Sequence, residues 1–98
     1  MRSLKTSDIF VMSRILKKMN IDLDIKDGMT ESQAGAMFIQ KIAENLYLAE
    51  NEVNEFMGEL VGMSGEEFNE LDIEQTFKYF NEFKNQKGLK TFFKLASK

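Results

Sequence analysis

Apolar residues recur at steps of three and four along most of this chain, the spacing that lines one face of a helix. Ile9, Met12, Leu16 and Met19 form such a stripe, widened by Ile15, while Arg14, Lys17 and Lys18 cover the far side. The pattern predicts a helix over about 7–19, opening at Ser7-Asp8 and closing with Lys17 and Lys18 at the negative end of the helix dipole. Ile21-Asp22-Leu23-Asp24-Ile25 then alternates apolar and acidic, the period of a half-buried strand. No second alternating run offers it an edge within the chain. Residues 20–29 therefore read as an extended connector with Ile21, Leu23 and Ile25 tucked against helices, in preference to a strand completed by a second subunit.

A helical body is expected over 30–86. Thr30 and Gln33 fit a capping box, in which each side chain accepts from the other residue's backbone N–H. The stripe Phe38, Ile42, Leu46, Ala49, Val53, Phe56, Leu60 follows at steps of 4, 4, 3, 4, 3 and 4. It suits one helix over about 31–61 or two broken near Ala49–Asn51. Two are preferred, because a single rod would run to ~45 Å at 1.5 Å per residue. Gly62 closes this segment, and Ser64-Gly65-Glu66-Glu67 opens the next with a second capping box, flanked by Met63 and Phe68 as a hydrophobic staple. Asp72, with Gln75 three residues on, caps a further helix. That helix presents Ile73, Phe77 and Phe80 on one face, with Tyr79 and Phe83 beside it, and Gly88 suits a left-handed stop. A short basic helix over 89–97 carries Leu89, Phe92 and Phe93. The expected fold is all-α: a single small domain over 1–98 of five or six helices and no sheet, without repeat or linker.

Composition narrows the chemistry. The 98 residues include nine Phe and seven Met but no Cys, His, Pro or Trp. Thiolate nucleophiles, disulfides, Cys/His zinc sites and a Ser-His-Asp triad are excluded, and the lack of Pro suits helices. No apolar run approaches the ~20 residues of a membrane span, and the N-terminus lacks the apolar core of a signal peptide, so a soluble intracellular protein is expected. A calcium loop starting at Asn20 would place Asp22, Asp24 and Glu31 suitably, but Ile25 stands where the turn requires Gly and Asp27 where such loops are apolar. Glu66 and Glu67 read as first-turn charges, Glu52, Glu55 and Glu59 as a solvated face, and no Gly pattern cradles phosphate. No catalytic residue, cofactor or metal is expected, and the protein is not expected to be an enzyme.

The net charge of −3 conceals a segregation. Residues 1–41 carry +2, residues 42–77 carry −10 with no Lys or Arg, and residues 78–98 carry +5. An acidic centre and a basic tail attract each other within one molecule or between copies, or else form separate solvated faces. The acidic block opposes nucleic-acid binding by the whole surface. The aromatic content adds a second tension. Nine Phe and seven Met exceed what a thin helical core readily hides, and a surplus makes a soft apolar groove. Phe92 and Phe93 are the expected surplus, since helix neighbours point ~100° apart.

The run Phe56-Met57-Gly58-Glu59-Leu60-Val61-Gly62-Met63-Ser64-Gly65-Glu66-Glu67-Phe68 resembles the central signature of tail assembly chaperones from long-tailed (siphovirus-type) bacteriophages and prophages of Gram-positive bacteria. In that family a helix ending F-[LM]-x-x-L-x-G leads into [LM]-S-x-E-E-F. A capped turn like Leu71-Asp72-Ile73, an aromatic helix and a closing Phe pair like Phe92-Phe93 follow. The resemblance runs from about residue 8 to 95 and is weakest over 20–30. It implies a protein of the bacterial host cytoplasm, present during virion assembly and absent from the mature virion. Such a protein coats the long, helical, apolar tape measure protein, keeps it soluble and recruits tail tube subunits. A longer frameshifted product contacts the tail tube protein, with the basic tail as the junction.

A chaperone of this kind works through repeated copies, apolar grooves and reversible contacts. On that reading Phe56, Leu60, Phe68 and Phe80 are core, and Met57, Met63, Phe92 and Phe93 are the expected partner-binding residues. A homo-oligomer with neither nucleic-acid nor membrane partner is expected. The alternative is a helical adaptor or small regulatory protein-interaction module without a phage role. A DNA reader would need Lys/Arg at consecutive exposed turns, and only 84–98 approaches that.

Overall fold

The computed structural model describes residues 1–97; Lys98, the last residue of the expected domain and basic tail, lies outside them. Helix α1 spans Thr6–Lys18, one residue earlier at each end than the pattern places it. Its start is also built differently. Lys5 holds the cap position, and Asp8, in the third helical position, reaches back so that its Oδ2 accepts the Lys5 N–H at 2.7 Å. The helix ends on Asn20 at φ 55°, a left-handed position that Asn tolerates. There Ile21 N–H bonds Leu16 O and Asn20 N–H bonds Lys17 O, closing two orphan carbonyls. The connector that follows contains no strand; Leu23 is buried, and Ile21 and Ile25 are half-buried against the core.

The long stripe is broken. Helix α2 covers Glu31–Glu44, a 3₁₀ turn covers Leu46–Ala49, and α3 covers Glu50–Val61. The break begins at Asn45, four residues before the expected position, and no side chain caps α3. A single 31-residue helix would be ~46 Å long, which exceeds the 36 Å long axis of the molecule. Both capping boxes form as expected. Gln33 N–H bonds Thr30 Oγ1 at 3.0 Å and Thr30 N–H bonds Gln33 Oε1 at 2.9 Å. Glu67 N–H bonds Ser64 Oγ at 3.1 Å and Ser64 N–H bonds Glu67 Oε1 at 3.0 Å. Between them Gly62, at φ 81°, ends α3 in a conformation that a side chain would strain.

Helix α4 is the single short turn Gly65–Asn69, α5 spans Ile73–Lys84, and α6 spans Leu89–Ala96. Asp72 caps α5 by accepting from Gln75 N–H at 2.8 Å. Gly88 is left-handed at φ 79°, but it stands at the entrance to α6, while α5 has already ended at Asn85. The described residues thus form a small all-α domain of six helices without a strand.

Helix α3 packs mainly on α4, α2 on α5, and α6 lies against both α1 and α2. The centre is a phenylalanine cluster drawn from four helices. Phe38 of α2 lies 4.9 Å from Phe93 and 5.7 Å from Phe83 between ring centres; Phe56 of α3 contacts Phe83 edge-on at 5.8 Å and stacks with Phe92 at 6.3 Å. Helices α2 and α5 meet closely at Gly35, where an added Cβ would lie 2.5 Å from Lys84 Cβ. This contact requires glycine.

Candidate functional site

Helix α5 buries only Phe83 fully. Its other apolar stripe, Ile73, Phe77 and Phe80, turns outward: Ile73 is 86% and Phe77 67% exposed, and Phe80 is half-buried. Three further apolar residues, Leu46, Tyr47 and Leu48, are exposed in the 3₁₀ turn, Tyr47 to 78%. The α5 stripe and Leu46 line an open groove of about 920 Å³ whose walls include Ile39, Ala43 and Leu46 on one side and Ile73, Phe77 and Phe80 on the other. An adjoining hollow of about 550 Å³ extends it past Tyr47 towards α3 and shares Ala43, Leu46, Phe68 and Phe80.

Local structure explains why the groove stays open. The Asp72 cap fixes the start of α5, and Phe83 anchors its far end in the phenylalanine cluster. Gly35 draws α2 against Lys84 at that same end, so the residues beyond this joint line the groove. Its floor is set by buried Phe68, which meets Phe80 edge-on at 6.4 Å and Tyr79 at 6.3 Å. Glu44 and Glu50 stand at the end near Tyr47, and Lys84 at the other. The surface is therefore apolar along its length and acidic at one end.

The residues expected to bind a partner lie elsewhere. Met57 and Phe93 are 1% and 0% exposed and Phe92 is 5% exposed, all in the core; Met63 is half-buried at its edge. The expectation that Phe92 and Phe93 are surplus is corrected. Helix α6 is sandwiched between α1 and α2, so two side chains ~100° apart both find cover. Phe56, Leu60 and Phe68 are buried as expected, whereas Phe80 is only half covered. The sequence signal for the groove lies in α5 itself, where the five apolar residues already noted occupy two faces of a 12-residue helix, more than one neighbour covers. A second is the run Leu46-Tyr47-Leu48, three consecutive apolar residues that cannot all point inward.

The charge blocks also sort differently. No ion pair among the described residues joins the acidic block 42–77 to the basic tail. Glu59 pairs with Arg2 at 3.3 Å and Glu52 with Lys18, both partners from the N-terminal block. In the tail, Lys94 pairs with Asp27 of the connector. The best-built polar site is a clasp at the N-terminus. Arg2 donates two hydrogen bonds to buried Asp8 at 2.7 and 2.9 Å, its own N–H bonds Leu60 O, and its carbonyl accepts from Gln86 Nε2 at 2.8 Å. The Arg2 guanidinium, with the Lys5 N–H, holds the Asp8 carboxyl below its ordinary range against the opposing effect of burial.

Among the described residues no group of three or more acidic side chains is placed to hold a metal ion, and no helix is long and apolar enough to cross a membrane. What the groove can do chemically is bury an apolar side-chain row. Comparison of the chain with protein-family models, curated proteins and solved structures gives no match.

Proposed function

We propose that the protein is an assembly chaperone that holds an apolar helical segment of a client in the groove between α2 and α5, the client being a phage tape measure protein. The observation that carries this reading is the outward stripe Ile73, Phe77, Phe80 facing Ile39, Ala43 and Leu46. Amphipathic helices dock in apolar grooves by rows of side chains at i, i+3/i+4 and i+7, and the groove offers such a row its counterpart. The resemblance around Phe56–Phe68 supplies the biological setting: action in the host cytoplasm during tail assembly, recruitment of tail tube subunits through a longer product, and absence from the finished virion.

The test is co-expression with the tape measure protein that this reading expects to be encoded beside it. Wild type should carry the client into the soluble fraction. The double variant Ile73→Ser, Phe77→Ser should lose that ability while keeping its helical circular dichroism. A soluble client with the double variant would overturn the groove as the binding surface. Genomic neighbours other than tail tube and tape measure genes would favour the adaptor reading.

A further inference from the structure

We propose that the groove of one molecule is occupied, before client arrives, by the outer face of α1 from a second copy of the chain. This rests on the groove being the binding surface, but not on the identity of the client. Helix α1 carries one large apolar side chain outside: Phe10 is 61% exposed. Arg14 and Lys17 follow it at i+4 and i+7, both exposed and both outside every ion pair of the described residues. The only acid in α1, Asp8, is buried and satisfied by Arg2. The outer face of α1 is therefore an aromatic residue followed by two positive charges.

The groove and its adjoining hollow together offer the complement. Phe77, Ile73 and Leu46 form the apolar length, and Glu44 and Glu50 stand in the hollow. From Phe10 to Lys17 is ~10 Å along a helix, so an aromatic seated against Leu46, which groove and hollow share, leaves the cations to reach for the carboxylates of the hollow. The two surfaces share no residue: α1 packs on α3, α6 and the 3₁₀ turn, while the groove is walled mainly by α2, α4 and α5, with Leu46 and Asn54. Each molecule thus presents both halves of the contact at once. Such a contact is heterologous, so it propagates head to tail into chains or rings. It also shields an exposed apolar patch that free protein would otherwise present to water. A client helix competes for the same walls, so client binding disperses the assemblies.

Sedimentation velocity on the purified full chain tests this without client. Wild type should form species that grow with concentration at low salt and shrink at high salt, because the charged end of the contact is screened. Phe10→Ser and Phe77→Ser should each weaken association at least tenfold. Mixed in equal amounts they should form a heterodimer and nothing larger, since one retains the groove and the other the α1 face. Arg14→Glu and Glu50→Arg should each weaken association, and combining them in one chain should restore it. A wild type that is monomeric at every concentration and salt overturns the proposal. So does a Phe10→Ser and Phe77→Ser mixture that stays monomeric. Neither failure would alter the co-expression result, which reports on client binding alone.

Discussion

Phe93 on α6 and Phe77 on α5 are the same residue type on neighbouring short helices, yet one is wholly buried and the other two-thirds exposed. The difference lies in what flanks each helix. α6 has α1 on one side and α2 on the other, so Leu89, Phe92, Phe93 and Ala96 are all buried, and only the face with Thr91 and Leu95 is open. α5 is held along one side by α2 and by the phenylalanine cluster around Phe83, and of its opposite stripe only Phe80 is partly covered, by Phe68. Burial of an aromatic in a small helical protein thus reports the position of its helix in the bundle more than the local sequence. The covered region holds the fold together, and the uncovered one is left available for a partner.

The largest expected effect lies in the covered region. Phe93 meets Phe38, Phe83 and Phe92 at centroid distances of 4.9 to 6.0 Å. Phe93→Ala should destabilise the protein by about 3–5 kcal/mol through lost burial and the cavity left behind, measured by urea denaturation. A loss below ~1 kcal/mol would mean that α6 is not fixed between α1 and α2, and the contrast with α5 would collapse.

How much of this contrast was legible in the sequence can be argued residue by residue. The helix boundaries were largely legible because caps are local: Thr30 with Gln33, Ser64 with Glu67 and Asp72 with Gln75 each act within one turn. The clasp was not, because Arg2 reaches Asp8 but also Leu60 and Gln86, which are distant in sequence. The groove was half legible. The stripe Ile73, Phe77, Phe80 could be read, but which of the two apolar faces of α5 is covered depends on where α2 and α6 pack. The aromatic surplus stands at Phe10 of α1 and Phe77 of α5, and not at Phe92 and Phe93 of α6, because α6 is flanked by α1 and α2.

A second prediction addresses the clasp, which ties the N-terminal segment to the covered side of the molecule. Asp8→Asn removes charge-assisted bonds from Arg2 and should cost about 1.5–3 kcal/mol at neutral pH. Because the folded state lowers the Asp8 carboxyl below its unfolded value, its contribution is complete above that unfolded value, ~4, and is lost as pH falls through the lower folded one. Wild-type stability should therefore decline on acidification below about pH 4, and the decline should be shallower in Asp8→Asn. Parallel curves for the two proteins would place the acid sensitivity elsewhere, for example in the pairs made by Glu52 and Asp27, whose carboxyls are also lowered by their lysine partners.

The joint between the two regions gives an intermediate effect. At Gly35 a methyl group would sit 2.5 Å from Lys84 Cβ and 2.6 Å from its Cα, so α2 and α5 must separate to admit it. Gly35→Ala should cost about 1–3 kcal/mol as overpacking, and it should widen the groove without emptying the phenylalanine cluster. Unchanged stability by thermal melting would mean that the helices meet less closely than the groove geometry requires.

The smallest expected effect on stability is also the most discriminating. Phe77 is 67% exposed in the single chain, so Phe77→Ser removes little area buried within it, and stability measured at a dilution where copies dissociate should stay within about 0.5 kcal/mol of wild type. A polar side chain there leaves the cluster around Phe83 intact while it interrupts the apolar wall that Ile73, Phe77 and Phe80 build. Denaturation midpoint and co-expression therefore diverge for this variant, the first unmoved and the second reduced. In Phe93→Ala both fall together, because loss of the fold carries the groove with it. If Phe77→Ser destabilised as strongly as Phe93→Ala, the stripe would be covered in solution by the protein itself, and α5 would be a core helix on both faces.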